Sequence, residues 1–583
     1  MIDRMTKYSF LLLDRERGGF MEKLQGLGLV DITRSSKPID ATSATIFEKI
    51  GRAKSLIRHI ESGSDEHLSA LMSQVSQLQA AADEIRVWGS WDSEKLAATG
   101  VTLHFYKTPA KKFDPEWEQQ YPLLRVAELK GQAYFVIAGS AEGFPLKELP
   151  APQKDLSAAE KELEQKKAEA ESYAKALEGR RSELPALRNQ VASLQDDLNL
   201  YLANVTGEAA AENSLVVFEG FAPEADAPAL EKAFDSMEAF WMAEKAQEED
   251  NPPIRLKNKK FAGMFEVLTD MYGRPGYKGF DPTPFISIFF TLFFAFCMGD
   301  SGYGLVILLL GFLLRKKLGK TASLVMVLGA ATVVIGFFFH SFFSMDISKW
   351  GFIRSLGLNK VMMPSDSQCV VPGLGSYDWN MVLALACGVL HISLAQFTKA
   401  VVATRNDGFV KSLGVWGWTL LIVGGVTVGV LALLKVFDSS ITKIAIIAIG
   451  IVSALFIFFL RDIHKNPLIN FGNGLWETYN TATGLLSDVL SYLRLYALAL
   501  AGSLLGGAFN DLALMVRGDG GIGWIPFVLL LVIGHVLNIA MSGLSAFVHP
   551  LRLNFLEFFK NAGYEGSGRS YAPLSRTSQN SKQ

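Results

Sequence analysis

At 583 residues the chain is long enough for three or four domains, and its formal net charge of −2 gives no support to a general nucleic-acid-binding role. Its three cysteines, Cys297, Cys369 and Cys387, have neither metal-ligand spacing nor the pattern of a disulfide framework. No Cys-x-x-Cys pair or His-Glu-x-x-His run occurs, so the sequence offers no catalytic residue, no metal site and no cofactor.

The opening "MIDRMTKYSFLLLDRERGGF" interrupts its short apolar run with Asp14, Arg15 and Glu16. It does not read as a secretory signal, and the N-terminus is expected to stay in the cytoplasm. Residues 8–32 read strand, helix, strand, and residues 213–234 repeat an apolar run, a Gly/Pro turn and an amphipathic helix. Two small α/β lobes are predicted. Between them Leu156, Leu163, Ala170, Leu177, Leu184, Val191 and Leu198 recur every seven residues, with Leu187, Leu194 and Tyr201 filling the second seam position. That is a coiled-coil pattern, with Pro185 predicting a kink and residues 44–88 supplying an antiparallel partner. It serves either as a self-contained helical hairpin or as a strut to another subunit.

Charge thins out after about residue 260. Against the ~20 apolar residues that a span needs, eight candidates follow: 283–299, 302–314, 321–343, 380–400, 412–434, 441–460, 478–509 and 522–556. The first two are short and share the break Gly299, Asp300, Ser301, Gly302, Tyr303, Gly304, which predicts a tight helical hairpin. With the N-terminus inside, cytoplasmic loops carry Arg315, Lys316, Lys317, Lys320, Lys399, Arg405, Lys411, Arg461 and Lys465. Outer loops carry Lys349, Arg354, Lys360, Lys435, Lys443 and Arg517. Nine against six agrees with the positive-inside rule. The expected architecture is an α-helical membrane protein of about eight transmembrane helices with an N-terminal cytoplasmic α/β plus coiled-coil region. Its parts are a cytoplasmic stretch 1–260, a membrane domain 261–560 and a polar cytoplasmic tail 561–583.

"LGKTA" (318–322) lacks the first Gly of a phosphate-binding loop, since Leu314 holds that place, and no strand precedes it. It is a basic loop.

Histidines and the lysines at span ends aside, the spans and the break between the first two hold Asp300, Asp488, Arg494 and Arg552, and an ionisable residue at membrane depth is a functional candidate. Asp300 also suits a helix cap, Asp488 a packing residue, and Arg552 a side chain reaching the headgroups. Arg494 lies halfway along its span, where a charge costs at least ~2.5–3.5 kcal/mol. Ser487, Ser491, Ala497 and Ala501 share its face, a smooth surface on which another helix approaches closely. Asp488, six residues earlier, points roughly 120° away, which argues against a pair within the helix. In the last span His535, Asn538, Ser542, Ser545, His549 and Arg552 follow at spacings of 3 and 4, a polar stripe about 25 Å long at 1.5 Å per residue. The stripe serves either hydrogen bonding between helices or a hydrated ion path.

At these residues the sequence resembles the membrane-embedded a subunit, or subunit I, of V-type and A-type rotary ATPases. The matching stretches are "SDVLSYLRLYALALA" (487–501), "GLSAFVHPLRLNFLEFF" (543–559), "DPTPFISIFFTLFFAFCMGDSGYG" (281–304), "YEGSGRSYAPL" (564–574), "VVFEGFAPE" (216–224) and "FEVLTDMYGRP" (265–275). The resemblance implies that Arg494 meets the carboxylates of a rotating proteolipid c/K ring and separates two offset half-channels. Arg552 would be the supporting arginine. Asp488, Ser491, His535, Asn538, Ser542, Ser545 and His549 would belong to the ion path. The implied partners are that ring, peripheral-stalk subunits, the central stalk and ATP-hydrolysing head, and the lipid bilayer. Two positions depart from the eukaryotic pattern: Gly502 where it has a His, and Ser542 where it has an acid. The rival reading, a secondary transporter with a cytoplasmic coiled-coil sensor, should show repeats between halves, and none is visible.

Overall fold

The computed structural model describes residues 2–576 apart from 35–36, 89–99, 130, 142, 151–155, 211–213, 238, 320, 356, 358–361, 364–368, 372–374, 434–435, 437, 461–466 and 518–522. Lys320, Lys360, Lys435, Arg461 and Lys465, the span ends at 434 and 522, and the last seven residues of the tail lie outside the described residues. The chain divides into two compact units: Met1–Leu12, Leu29–Ile32 and Val217–Pro573 in one, Leu13–Gly28, Thr33–Val216 and Leu574–Gln583 in the other.

The second unit contains the antiparallel coiled coil that the heptads predict. Helix Ala41–Ser62 pairs with Leu184–Val205, and Glu66–Arg86 with Leu156–Gly179. The seam buries Leu163, Ala170, Leu177, Val191 and Leu198. The long arm is interrupted by a 3₁₀ turn at Arg180–Glu183, and Pro185 restarts the helix where its missing N–H costs nothing. Asp40 and Asp65 cap the two partner helices, and each also accepts a hydroxyl from the opposite arm, from Tyr201 and from Tyr173 respectively. A three-stranded antiparallel sheet follows in this unit, built on Leu103–Pro109, Leu123–Leu129 and Gln132–Ala138, with the last strand central. Its core is aromatic: Tyr106, Phe113, Trp117, Phe135 and Phe144.

In the first unit, the two strand–helix repeats do not make two lobes. Their strands interleave in one sheet: β1 (Met5–Leu13), β2 (Asp31–Ile32), β3 (Leu215–Pro223) and β4 (Phe240–Lys245), ordered β2-β3-β1-β4. The physical reason lies in β1, whose apolar positions Tyr8 and Phe10 are fully buried against Phe234, with ring centroids 5.2 and 5.0 Å apart. One hydrophobic face cannot be covered within a single short repeat.

The apolar region is an integral, multi-pass helical bundle, and its span count is corrected. Among the described residues, six helical stretches are long and apolar enough to cross a membrane: Thr321–Phe338, Trp379–Asp407, Leu413–Ala432, Ser439–Phe458, Leu468–Arg517 and Trp524–Ala562. The first two expected spans are shorter helices, Thr283–Met298 and Ser301–Leu313. Their 16 and 13 residues reach about 24 and 20 Å at 1.5 Å per residue, less than the ~30 Å hydrocarbon thickness. Gly299, with a φ of +54°, ends the first, and Asp300 starts the second. The hairpin packs tightly on Thr321–Phe338: a Cβ on Gly304 would stand 2.6 Å from the Val333 nitrogen.

The C-terminal segment fixes relative sidedness. Tyr571 donates its hydroxyl to the Leu29 carbonyl at 2.5 Å, and Ala572 N–H donates to Asp31 at 3.1 Å. Ile254 N–H donates to the Arg569 carbonyl at 2.6 Å. Residues 569–572 therefore lie on the same side of the membrane as the sheet, which requires an even number of crossings between them. A hairpin preserves that parity whether it spans twice or re-enters.

Candidate functional site

Arg494 owes its position to a break in the long helix. Pro467–Ser491 and Leu493–Arg517 meet at Tyr492, whose ring is fully buried. The Tyr492 hydroxyl and the His391 Nδ1 are 2.8 Å apart, and a Cβ on Gly388 would strike the ring at 2.5 Å. The helix tightens there to i→i−3 bonding: Tyr492 N–H to the Val489 carbonyl and Leu495 N–H to the Tyr492 carbonyl. Arg494 follows in the first turn of the second segment. Its Nη1 is buried without a hydrogen-bond partner, and it forms no ion pair among the described residues. Ser487, Ala497 and Ala501, on its face, are exposed.

Glu557, not singled out from the sequence, lies within electrostatic reach of both Arg494 and Arg552. It is 4% exposed, stands beside Ser491, and has one carboxylate oxygen with no hydrogen-bond partner. It sits in "FLEFF", immediately after the expected end of the last span, where a carboxylate reads as a headgroup-level residue. A π-helical turn, Leu553–Phe558, carries it inward. Pro550 has no N–H to give, and Asn554 Nδ2 donates to the Pro550 carbonyl at 2.8 Å. Arg552 is exposed at the end of the last helix.

Asp488 is not brought to Arg494. Its carboxylate accepts from Asn561 Nδ2 at 2.8 Å and lies 3.3 and 3.4 Å from Lys560 Nζ. With Gln396, Lys399, Glu477 and Asn480 it lines a cavity of about 280 Å³. Ser491 donates to the Ser487 carbonyl at 3.2 Å.

The polar stripe faces the bundle, while Leu537 and Leu544 on the other side of the helix are exposed. Its N-terminal part is a hydrogen-bonded chain. Ser542 donates to Asn538 Oδ1 at 3.1 Å, and Asn538 Nδ2 donates to the Gly502 carbonyl and the Tyr303 oxygen, both at 2.8 Å. Tyr303 is 2.8 Å from His535 Nδ1, and His535 Nε2 is 3.0 Å from Asn510 Oδ1. Tyr303 and Asn510 come from other helices and were not singled out from the sequence. The signals were the tyrosine of the "GYG" turn and a lone amide beyond the expected span end at 509. Gly502 and Ser542, the two departures from the eukaryotic pattern, face each other: a Cβ on Gly502 would stand 3.0 Å from Ser542 Oγ. Ser545 and His549 continue the face toward Arg494, whose charge reaches His549. His549 Nδ1 is buried without a partner.

Asp300 has the capping role. Its carboxylate accepts the N–H groups of Gly302 (2.8 Å), Tyr303 (3.1 Å), Phe343 (2.9 Å) and Ser344 (2.7 Å), and the Ser341 hydroxyl (2.6 Å). It thereby ties the hairpin to a turn in which His340, Phe343 and Ser344 all have positive φ. A Cβ on Gly302 would meet the Phe343 ring at 2.5 Å.

A sequence model of the V-type ATPase 116kDa subunit family matches residues 144–348 and 477–576, just over half of the chain. The chain belongs to that family. The second matched segment contains Arg494, Arg552, Glu557 and the whole polar stripe. Among curated relatives, the A-type ATP synthase subunit I of Methanocaldococcus jannaschii is 30% identical over 372 residues, 59% of this chain and 52% of the relative. That of Pyrococcus abyssi is 32% identical over 345 residues, 57% of this chain and 49% of the relative. The V-type ATP synthase subunit I of Borreliella burgdorferi is 28% identical over 378 residues, 61% and 59% of the two chains. The chain thus spans about half the length of the curated relatives it matches.

Proposed function

We propose that this chain is the non-catalytic membrane stator subunit of a V/A-type rotary ATPase, forming ion half-channels against a proteolipid ring. The observation that carries the reading is Arg494: a guanidinium with a buried, unpartnered Nη1, beside an open face of small residues. A guanidinium nitrogen left without a hydrogen-bond partner suits a partner that moves. As each ring carboxylate passes, attraction to Arg494 favours its ionised form and drives release of its ion. The guanidinium keeps its charge at any working pH, so it also blocks direct leakage between the half-channels. The outer half-channel runs along His535, Asn538, Ser542, Ser545 and His549. The inner one runs by Ser491 and Glu557 toward the cavity lined by Asp488. Residues 1–260 form the cytoplasmic stator region that binds peripheral stalks, 261–560 the membrane domain, and the tail from 561 the cytoplasmic C-terminus.

Purification of the tagged chain from its native membrane tests this. A proteolipid ring and an ATP-hydrolysing head should co-purify in fixed stoichiometry. Isolation of the chain as a homo-oligomer without either would refute the assignment.

A further inference from the structure

Resting on that reading, we infer that His391 is a positioning residue: its imidazole ties the break that carries Arg494 to the π turn that carries Glu557, and so sets the two groups against each other. Tyr492 stands two residues before Arg494, and Phe558 directly follows Glu557. His391 touches both. Its Nδ1 is 2.8 Å from the Tyr492 hydroxyl, and its ring stacks on Phe558 with centroids 4.5 Å and planes 11° apart. Phe289 lies against the imidazole at 4.1 Å, and Phe293 meets it edge-on at 5.2 Å. His391, Tyr492 and Phe558 are all fully buried. Gly388, one turn earlier on the helix of His391, opens the slot that the Tyr492 ring fills. Segments far apart in sequence thus meet at one ring.

A residue that only filled this space would not need an imidazole. A polar ring placed among phenylalanines gives up its bonds to water. Nδ1 regains one through Tyr492, whereas Nε2 is buried without a partner. Phenylalanine would occupy the same place without that loss, so what histidine adds is the one bond. That bond falls where the helix switches to i→i−3 bonding, at the Tyr492 and Leu495 N–H groups. It therefore pins the rotation of the turn from which Arg494 projects. The stack on Phe558 does the same for the π turn, whose extra residue gives it a freedom that an α turn lacks.

The consequence concerns the spacing of two opposite charges. Glu557 acts electrostatically on Arg494, yet the two form no ion pair among the described residues. Arg494 is attracted without being captured, and its Nη1 stays open to a partner from outside the chain. Were either turn free to rotate, Glu557 could close on the guanidinium and compete with the ring carboxylate. An arginine held in that way would also leave its place between the half-channels, where its charge stops leakage. His391 prevents both by holding the two turns to one ring.

The test uses the whole rotary complex in liposomes with a potential-sensitive dye. It reads the charge moved per ATP hydrolysed and the passive conductance without ATP. Tyr492→Phe removes only the hydroxyl, and His391→Phe keeps a flat ring against Phe289 and Phe558 but loses the bond. Each should lower the charge moved per ATP at least about twofold and raise the passive conductance. The double variant should do no worse than either, because both changes break the same bond. His391→Asn, which offers an amide near the place of Nδ1 but no ring, should also be impaired, since Phe558 loses its stack. Leu328→Ala opens a cavity on Thr321–Phe338, which carries none of these contacts. It should lower the thermal midpoint with charge per ATP unchanged. Wild-type charge per ATP in Tyr492→Phe and His391→Phe, whatever their thermal midpoints, would overturn the inference. So would wild-type coupling in His391→Asn, or an equal loss of coupling in Leu328→Ala. If His391→Phe fails to assemble, Tyr492→Phe decides. Pumping unaffected by Arg494→Ala would instead remove the functional reading itself.

Discussion

Replacing Asp300 should dismantle the short helical hairpin and the turn at Ser341–Ser344 together. Four backbone N–H groups and one hydroxyl converge on its carboxylate, which is 3% exposed. Asp300→Ala leaves all five without an acceptor in a place water reaches poorly. At roughly 1–3 kcal/mol for each buried donor left unmade, the loss is at least ~5 kcal/mol, comparable to the whole stability of many domains. Asp300→Asn is milder. Its oxygen keeps the three donors shared by Oδ1, the Ser341 hydroxyl can reverse and accept from the new amide, and only the Ser344 N–H confronts another donor. That predicts roughly 1–3 kcal/mol for the orphaned N–H, plus the lost strength of charge-assisted bonding. The assay is the thermal midpoint of the detergent-solubilised complex, with subunit content read in parallel. Asp300→Ala should fail to accumulate in the complex, and Asp300→Asn should assemble with a lowered midpoint. An Asp300→Ala complex that assembles with the wild-type midpoint would refute the reasoning.

Three further outcomes are expected. With Cys297, Cys369 and Cys387 replaced, single cysteines at His535, Asn538, Ser542, Ser545 or His549 should react with small polar thiol reagents, whereas cysteines at Leu537 or Leu544 should not; equal labelling of both faces would exclude a polar path. Glu557→Gln should assemble but reduce ATP-driven ion uptake at least about tenfold, because it removes a buried carboxylate within electrostatic reach of both arginines; unchanged uptake would remove Glu557 from the path. On the coiled coil, the Tyr201 hydroxyl and the Ser43 N–H hold the Asp40 carboxyl below the usual range, and the Leu68 N–H and Tyr173 hydroxyl do the same for Asp65. Because these pKa values are depressed by folding, the stabilisation is present above about pH 4 and lost as the pH falls through the folded values. Helix unfolding followed by circular dichroism should therefore show an acid-side loss that shrinks in the Asp40→Asn, Asp65→Asn double variant; an identical pH profile would contradict it.

The features legible in the sequence are those set by local spacing. Leu163, Leu177, Val191 and Leu198 announce the coiled coil because a seven-residue period needs no knowledge of the partner. His535, Asn538 and Ser542 share a face for the same reason. Strand pairing is non-local, so two similar strand–helix runs suggested two lobes where one interleaved sheet forms. Tyr303 and Asn510 complete the His535 chain from other helices; their local signals, a tyrosine in a glycine turn and a lone amide past an apolar run, mark each residue but not their meeting. Tyr492 is no helix breaker by propensity; the break follows from its burial against Gly388 and its bond to His391, more than a hundred residues earlier. The long helix outruns the expected span at both ends because helical bonding continues through "PLINFGNGLWE", where apolar continuity fails. Glu557 escaped because apolar run length marks where a span ends, whereas the π turn after Pro550 sets where the side chain goes.

The most direct measurement of the central claim is ATP-driven ion uptake into vesicles bearing the complex with Arg494→Ala, with subunit content measured on the same vesicles. Under the proposed function the arginine faces a moving partner, and it makes no ion pair among the described residues, so assembly should survive and uptake should fall to background. Arg494→Lys should be severely impaired as well, since a buried ammonium can shed its proton and lacks the planar fork of the guanidinium. Wild-type uptake by a fully assembled Arg494→Ala complex would contradict the mechanism.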